Sequence, residues 1–347
     1  MKLKFMKILL YSIYKNIFLE DSLHKGFSDL IGKNNIFFYR PEDYKINKTQ
    51  INVLNYKNIY GKDIIKEIDN FDYILFFNSA FLDKYFYAVL NKKTNVKKIF
   101  IYGMDDFFIR RIYKHPEISY YFKRELYREP IAKPKKIDWI LRYYYELNRT
   151  PGTAGRKMRW FSYWNLPIGL SDQKKFDLAP LPLTIANPTK YKIKKHRNYE
   201  ISFIGHDNNP ERRIYIKTLN EYLIKNKIKG FISTKIVNKH GYIKTIINSK
   251  SGFSIRGTGY DTWRYWEIPC YGAALLAQKT PINIPNNFVD KESALFFKDF
   301  DELKQRLEKY IIKSNEWFEI AKNGQKYFFK YHTPKKRAEH MLKIIKG

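Results

Sequence analysis

The sequence predicts an α/β protein made of two successive units, each a parallel sheet covered by helices. Two observations lead there. Short apolar runs recur through the first half at intervals of ~20 to 35 residues, and strands apolar on both faces with that spacing belong to buried parallel sheets. The alternation of apolar run and helical stretch then begins again near residue 199, after a region rich in Pro, Gly and charge. A chain of 347 residues, 44% hydrophobic and 18% aromatic, has ample material for two cores.

The elements follow in order. The amino terminus, MKLKFMKILLYSIYKN, sets basic residues before an apolar run, as a secretory signal does. The run breaks after about five positions and lacks a small-residue cleavage site, so MKILLYS at 6–12 reads as the first buried strand. NIFFYR at 35–40, YILFFNS at 73–79 and KIFIYGM at 98–104 read as the next strands. Between 150 and 200 the composition turns to Pro, Gly and charge, and PLPLTIANPTKYKIKKHR lacks sustained apolar periodicity. A boundary near 185–200 gives an N-terminal domain, 1–190, a C-terminal domain, 191–330, and a last helix, 331–347.

In the second unit YEISFIGH at 199–206 reads as a strand, and Asn209 with Pro210 as the cap and first residue of a helix. GFISTKIV, a helical GYIKTIINSK and the strand SGFSIR follow. After AALLAQ comes a long loop, KTPINIPNNFVDKESALFF, then terminal helices, the last opened by Thr333 and Pro334.

Composition narrows the functional classes. The single cysteine, Cys270, excludes an intramolecular disulfide and a cysteine-clustered zinc site, and fits a reducing compartment. Without an apolar run near the ~18 residues a bilayer requires, the protein is expected in the cytoplasm, soluble or peripheral at a membrane. The formal charge of +31, from 65 Lys and Arg against 34 Asp and Glu, implies a broad positive field and an anionic partner: a nucleotide, a nucleic acid or acidic headgroups. Codon drift in an AT-rich genome would also enrich Lys, Asn, Ile, Tyr and Phe, but it should have enriched Glu alongside Lys.

The densest motif is SIRGTGYDTWRYWEIPCYGAALL at 254–276. A strand ending at Arg256 feeds the loop Gly257-Thr258-Gly259-Tyr260, and Asp261 or Thr262 can cap a helix whose first amides face that loop. Glycines permit close backbone approach and the helix dipole favours an anion, so the arrangement suits phosphate. Arg256 and Arg264 add charge-assisted contacts. Glu267, one turn after Arg264, shares its face. A carboxylate beside phosphate is costly unless it meets a hydroxyl pair such as a ribose supplies, and a nucleoside diphosphate offers both. The same spacing also allows Arg264 and Glu267 to pair with each other on a packed helix.

RYWEIPCYGAALLAQ, ALFFKDFDELKQRLEKY and IAKNGQKYFFKYHTPKKRA resemble, in order and spacing, the carboxy-terminal half of GT-B glycosyltransferases, in particular the branch grouped with spore-maturation glycosyltransferases and the group 1 C-terminal domain. The resemblance covers about 200–347. It implies two Rossmann-like domains facing across a cleft, a C-terminal helix returning to the N-terminal domain, and a nucleotide-sugar donor held by the carboxy-terminal domain with no further cofactor. A UDP-sugar is favoured. It also implies that Glu267 holds the donor ribose and that Gly259, Tyr260, Asp261 and Thr262 contact the diphosphate. Retaining members carry a second glutamate eight residues earlier, where this chain has Gly259, and Pro269 should kink or end the helix. In SFIGHDNNPERR the matching glycine turn nominates Gly205, His206, Arg212 and Arg213. A solvated helix face for the arginines, and a structural role for His206, fit the sequence equally.

In the first domain, Asp105 and Asp106 follow a strand, at the sheet edge that faces the ligand crevice in doubly wound folds. Either can take the acceptor proton in an inverting transfer, or cap the next helix. His115, before a proline, is the weaker candidate. The pair lacks the intervening residue of metal-binding aspartate motifs, and the resemblance implies neutralisation of the diphosphate by protein groups instead of a metal. YYFKRELYRE and GRKMRWFSYW interleave aromatic and basic residues, a surface for sugar rings, anionic lipid or nucleic-acid bases, or an amphipathic helix with buried aromatics. The leading expectation is a glycosyltransferase acting on an acceptor hydroxyl of a glycan, glycolipid, protein or modified DNA. Its anionic acceptor would be a lipid-linked glycan, a membrane surface or DNA. The alternatives are a non-catalytic nucleic-acid-binding protein, which should bind with steep salt dependence, and an interaction protein that kept the fold.

Overall fold

A computed structural model describes residues 5–12, 19–41, 57–77, 80, 83–103, 115–126, 128, 179–207, 209–235, 237–257 and 259–347. The chain divides into two compact units: Lys7–Ile13 with Phe37–Pro180, and Met1–Met6 with Tyr14–Ile36 and Leu181–Gly347. This division falls at Pro180/Leu181, earlier than the boundary expected near 190, and it assigns the first helix to the carboxy-terminal unit.

The first unit is organised on seven parallel strands, β1 (Ile8–Tyr11), β2 (Ile36–Arg40), β3 (Lys57–Tyr60), β4 (Tyr73–Phe77), β5 (Lys97–Tyr102), β6 (Ile118–Lys123) and β7 (Ala179–Pro180), in the order β3-β2-β1-β4-β5-β6-β7. Strands β1 and β4 are buried along their whole length, as parallel strands covered on both faces must be. Leu9, Tyr11, Ile74, Phe76, Phe86, Val89, Phe100 and Tyr102 form one core cluster. The strand order reverses between β1 and β4, so the carboxyl ends of those two strands border the crevice of a doubly wound sheet. Helices α1 (Leu19–Ile31), α2 (Asp63–Glu67) and α3 (Phe86–Asn91) fall between the early strands in sequence.

The second unit has a five-stranded parallel sheet, β8 (Tyr199–Ile204), β9 (Gly230–Ser233), β10 (Ser249–Ser254), β11 (Ala274–Gln278) and β12 (Leu295–Phe297), in the order β12-β11-β10-β8-β9. Its helices are α4 (Pro210–Lys225), α5 (Lys239–Ile247), α6 (Trp263–Cys270), α7 (Phe300–Arg306) running into a π turn at Leu307–Ile312, α8 (Glu316–Tyr331) and α9 (Pro334–Lys346). The reversal here lies between β8 and β10, which puts the ends of those strands at the crevice.

Local chemistry sets the ends of these helices. Asn209 Oδ1 accepts from Arg212 N at 3.2 Å with Pro210 in the first turn, and Thr333 Oγ1 caps α9 through Lys336 N, both as expected. Pro269 sits one residue before the end of α6, where Gly272 (φ 82°) closes the helix: Ala273 N donates to Ile268 O and Gly272 N to Pro269 O, each at 3.1 Å. The region read as loop after β11 contains β12. Segment 185–200 is tied into the carboxy-terminal unit by Gln325 Nε2 on Tyr191 O at 2.9 Å and Arg197 Nη2 on Gly272 O at 3.0 Å. Helix α9 packs on α1, an element from the amino-terminal end of the sequence. Among the described residues no helix is long and apolar enough to cross a membrane.

Candidate functional site

The carboxyl ends of β8 and β10 bring two loops together. The first holds Gly205 and His206 ahead of α4; the second runs from Ile255 to Thr262 ahead of α6, with Thr258 outside the described residues. Their carbonyls are held from beneath by α4. Arg212 is buried, and its guanidinium donates to Arg256 O at 2.9 Å, His206 O at 3.0 Å and Ile255 O at 3.1 Å. Asn209 Nδ2 donates to Gly257 O at 2.7 Å. Arg212 therefore supports the two loops by holding their carbonyls. Gly257 is required beneath the loop, since a Cβ there would lie 2.6 Å from Arg212 Nη2.

Arg264 projects from the first turn of α6 back across β8. Its Nη1 donates to Ile204 O at 3.2 Å, its guanidinium carbon lies 4.7 Å from the Phe203 ring centroid, and its buried Nε has no partner among the described residues. Burial lowers its pKa. Gly205 makes room for it, because a Cβ at that position would lie 2.2 Å from Nη1. One turn on, Glu267 Oε2 accepts from Tyr242 Oη at 2.6 Å. Burial raises the Glu267 carboxyl above its ordinary value, against the opposing effects of the Tyr242 hydrogen bond and the Arg264 charge. Burial likewise holds the Tyr242 phenol protonated, as a donor. No ion pair joins Arg264 and Glu267 among the described residues; each has its own partner and spare hydrogen-bonding capacity. Tyr242, from α5, was not anticipated, since it lies 25 residues from Glu267 in sequence.

The remaining nominees divide by environment. Arg256 stacks on Tyr260 at 4.9 Å and pairs with Glu211 at 3.5 Å, and Gln278 ties in by donating to Glu211 and accepting from Arg256 N. Arg213 is exposed and pairs with Asp207 at 3.6 Å on the outer face of α4. Asp261 is 2% exposed, with Oδ2 accepting from Leu183 N at 2.6 Å and Oδ1 from Trp266 Nε1 at 2.7 Å. It fastens the loop to the preceding chain and has no face toward a diphosphate, which corrects its expected role. Thr262 is the N-cap by position, yet its hydroxyl bonds Ser254 Oγ at 3.1 Å and caps no amide. Gly259 lies in the loop and its carbonyl accepts from Gly257 N at 2.8 Å. His206 has an exposed side chain.

In the first unit, Asp105 and Asp106 lie outside the described residues. His115 is engaged in a turn: its Nδ1 accepts from Glu117 N at 3.3 Å and its carbonyl from Ile118 N. A carboxylate missed in the sequence, Asp83, follows β4. Its Oδ2 accepts from Tyr11 Oη, from Tyr39 Oη at 2.9 Å and from Tyr85 N at 3.0 Å, at the carboxyl ends of β1 and β2. Like Asp105, it comes shortly after a buried strand, the one signal that could have found it. Among the described residues no three His, Cys, Asp or Glu side chains gather as a metal-binding group.

Residues 216–343 match a family model described as glycosyl transferase-like. No curated protein sequence matches the chain. Among solved structures, TarM is similar at 10% identity over 99% of this chain and 99% of that one, with a TM-score of 0.53. A glycosyltransferase from Rickettsia africae ESF-5 is similar at 10% identity over 98% and 97% respectively, with a TM-score of 0.52. HepE of Anabaena, crystallised with UDP-glucose, is similar at 8% identity over 98% and 99%, with a TM-score of 0.49. The chain therefore has the expected α/β architecture of two parallel-sheet units, the fold it shares with these structures, and residues 216–343, within the second unit, are similar to a glycosyl transferase-like family.

Proposed function

We propose that the chain transfers a sugar from a nucleoside-diphosphate sugar, a UDP-sugar first among them, to an acceptor hydroxyl, and that the β8 and β10 loops with α6 hold the donor. The observation that carries this is the pairing of unmet capacities on one helix face. Among the described residues, Arg264 offers a half-buried cation whose Nε–H has no partner, and Glu267 a carboxylate bonded through Oε2 to Tyr242. A diphosphate next to a ribose diol answers both. The amino terminus of α6, left without a side-chain cap, adds a partial positive charge on the phosphate side. Gly205, Gly259, Arg256 and Tyr260 shape the rim, with Arg213 and Thr262 at its edge, and Arg212 and Asn209 brace it from below.

In the transfer, a bond forms between the acceptor oxygen and the anomeric carbon as the bond from that carbon to the diphosphate oxygen breaks. The diphosphate leaves with the electron pair, and Arg264 stabilises its growing charge. The acceptor proton passes to a base, for which Asp105, Asp106 and His206 stand as nominees from sequence and Asp83 as one from structure. The acceptor is proposed to be anionic, as a lipid-linked glycan, a membrane surface or DNA would be, and the protein to act in the cytoplasm.

Calorimetric titration of the protein and of Glu267→Ala with UDP and UDP-glucose tests the site. Loss of charged hydrogen bonds to the ribose should weaken binding by about tenfold or more. Equal affinities would remove Glu267 from the site, and absence of binding by the unaltered protein to UDP-, GDP- and TDP-sugars alike would overturn the donor reading.

A further inference from the structure

We propose that a groove between segment 190–195 and helix α8 is a docking site for a linear phosphodiester polyanion. The geometry starts from alternation. In the extended segment, Tyr191 packs its ring against Tyr271 (centroids 5.9 Å apart) and Ile193 covers Gly272, where a Cβ would meet Ile193 Cγ1 at 2.8 Å. Lys190, Lys192 and Lys194 are therefore turned outward and exposed. On α8, the buried face of Trp317, Ile320, Ala321, Gly324 and Phe328 leaves Lys322 and Lys326 exposed one turn apart.

The two rows run antiparallel. Lys190 Nζ lies 5.9 Å from the Phe329 ring, Gln325 Nε2 holds Tyr191 O at 2.9 Å, and Lys195 Nζ lies 5.7 Å from the Phe318 ring. Five strand-like steps from Lys190 to Lys195 span about 16 Å at ~3.3 Å each. Eleven helical steps from Phe318 to Phe329 span the same length, about 16 Å at ~1.5 Å each. The rows thus stay in step, with ammonium groups repeating about every 6 to 7 Å on both. Between them lies a groove of about 480 Å³ lined by Lys190, Lys192, Lys322 and Lys326 with Tyr191, Ile193 and Gln325.

Charge and shape select the occupant. Residues 186–198 contain no acidic side chain, and the carboxylates of α8 lie in its first turn, Glu316 and Glu319, with Glu319 paired to Lys322 at 2.8 Å. A chain with one phosphate per repeat can lie along the groove and meet both rows. A plane of lipid headgroups would reach only the rims, and the apolar groups in the groove, Tyr191 and Ile193, are half-buried against the protein and do not project toward a bilayer. Lysines in place of exposed aromatic rings favour contact with the backbone over contact with bases.

The test is fluorescence anisotropy with labelled oligothymidylate of about twenty nucleotides, and with inorganic polyphosphate as a second arm, from about 50 to 200 mM salt. With about four phosphates neutralised, log K should fall against log salt with a slope near −3. The triple variant Lys190→Glu, Lys192→Glu, Lys326→Glu should lose about tenfold or more in affinity and reduce that slope by about 2. The control Lys225→Glu, Lys335→Glu, Lys343→Glu makes the same change in net charge at exposed sites elsewhere, and should keep most of the binding. Preference for the oligonucleotide over polyphosphate, whose links are phosphoanhydrides and not phosphodiesters, would support a nucleic acid as the partner, and the reverse preference would overturn the proposal. Equal losses in the two triples would overturn the proposal in favour of diffuse charge. So would groove-dependent binding to phosphatidylglycerol vesicles without binding to either polymer. UDP affinity should be the same in all three proteins, which separates this site from the donor site.

Discussion

Glu267 is held in the ligand-free protein at an electrostatic cost. Burial raises its carboxyl above the ordinary 4.5, so the folded state binds its proton more tightly than the unfolded chain does. By linkage, the stability this group contributes is fully present below the ordinary value and is lost as pH rises through the folded value. Ionising Glu267 in the folded protein is therefore costlier than in the unfolded chain, a cost that hydrogen bonds from a ribose diol would offset. Glu267→Gln keeps an oxygen for the Tyr242 phenol and removes the charge. It should unfold at higher temperature than the unaltered protein near pH 8, by roughly 2 °C or more. The difference should vanish at and below about pH 4.5, where both side chains are neutral. Thermal unfolding across that range provides the measurement, and a difference that is absent or independent of pH would show that burial of Glu267 is not costly.

At the scale of elements, identical substitutions separate the loops from the sheet beneath them. A Cβ on Gly205 would meet the far end of the Arg264 side chain, Nη1 at 2.2 Å, and that guanidinium can swing away. A Cβ on Gly252, inside β10, would meet three carbons of Ile268 at 2.6 to 2.9 Å, in the packed interface between strand and α6. Gly205→Ala should cost at most about 1 kcal/mol in stability, while moving Arg264 off its Ile204 and Phe203 contacts and weakening UDP binding by about tenfold. Gly252→Ala should show the opposite balance, a loss of about 1 to 3 kcal/mol from overpacking with UDP affinity preserved in the folded protein. Denaturant titration and calorimetry on the two variants measure both quantities, and a matched pair of effects would contradict the separate roles given to the two glycines.

Across the whole molecule, legibility followed sequence distance. The central strands β1, β4, β5 and β8 contain apolar runs and could be read locally, whereas β10, SKSGFS, has a single large apolar side chain. Edge strands β3, with an exposed and half-exposed KNIY, and β7, only two residues long, carry no such run. Glu267 and Arg264 could be found because they lie one turn apart in a distinctive motif. The structural use of Asp261 could not, because its partner Leu183 is 78 residues away, and Gln325 reaches Tyr191 across 134. The most distant link joins the ends of the chain, where α9 packs on α1 at Gly26. A Cβ on Gly26 would lie 2.2 Å from Pro334 O and 2.7 Å from Pro334 C, backbone atoms at the capped start of α9 that cannot swing aside. Alanine in place of glycine inside a helix favours folding by about 1 kcal/mol, and at Gly241 in α5 little opposes it, since the nearest atom is Asn238 Oδ1 at 3.2 Å. At Gly26 the clash, about 1 to 3 kcal/mol, outweighs that gain because α9 must move as a body. Gly26→Ala should therefore lower stability to denaturant and speed amide exchange in α9, whereas Gly241→Ala should be neutral or stabilising. If Gly26→Ala were as stable as Gly241→Ala, the close crossing of the first and last helices would not contribute to holding the carboxy-terminal unit together.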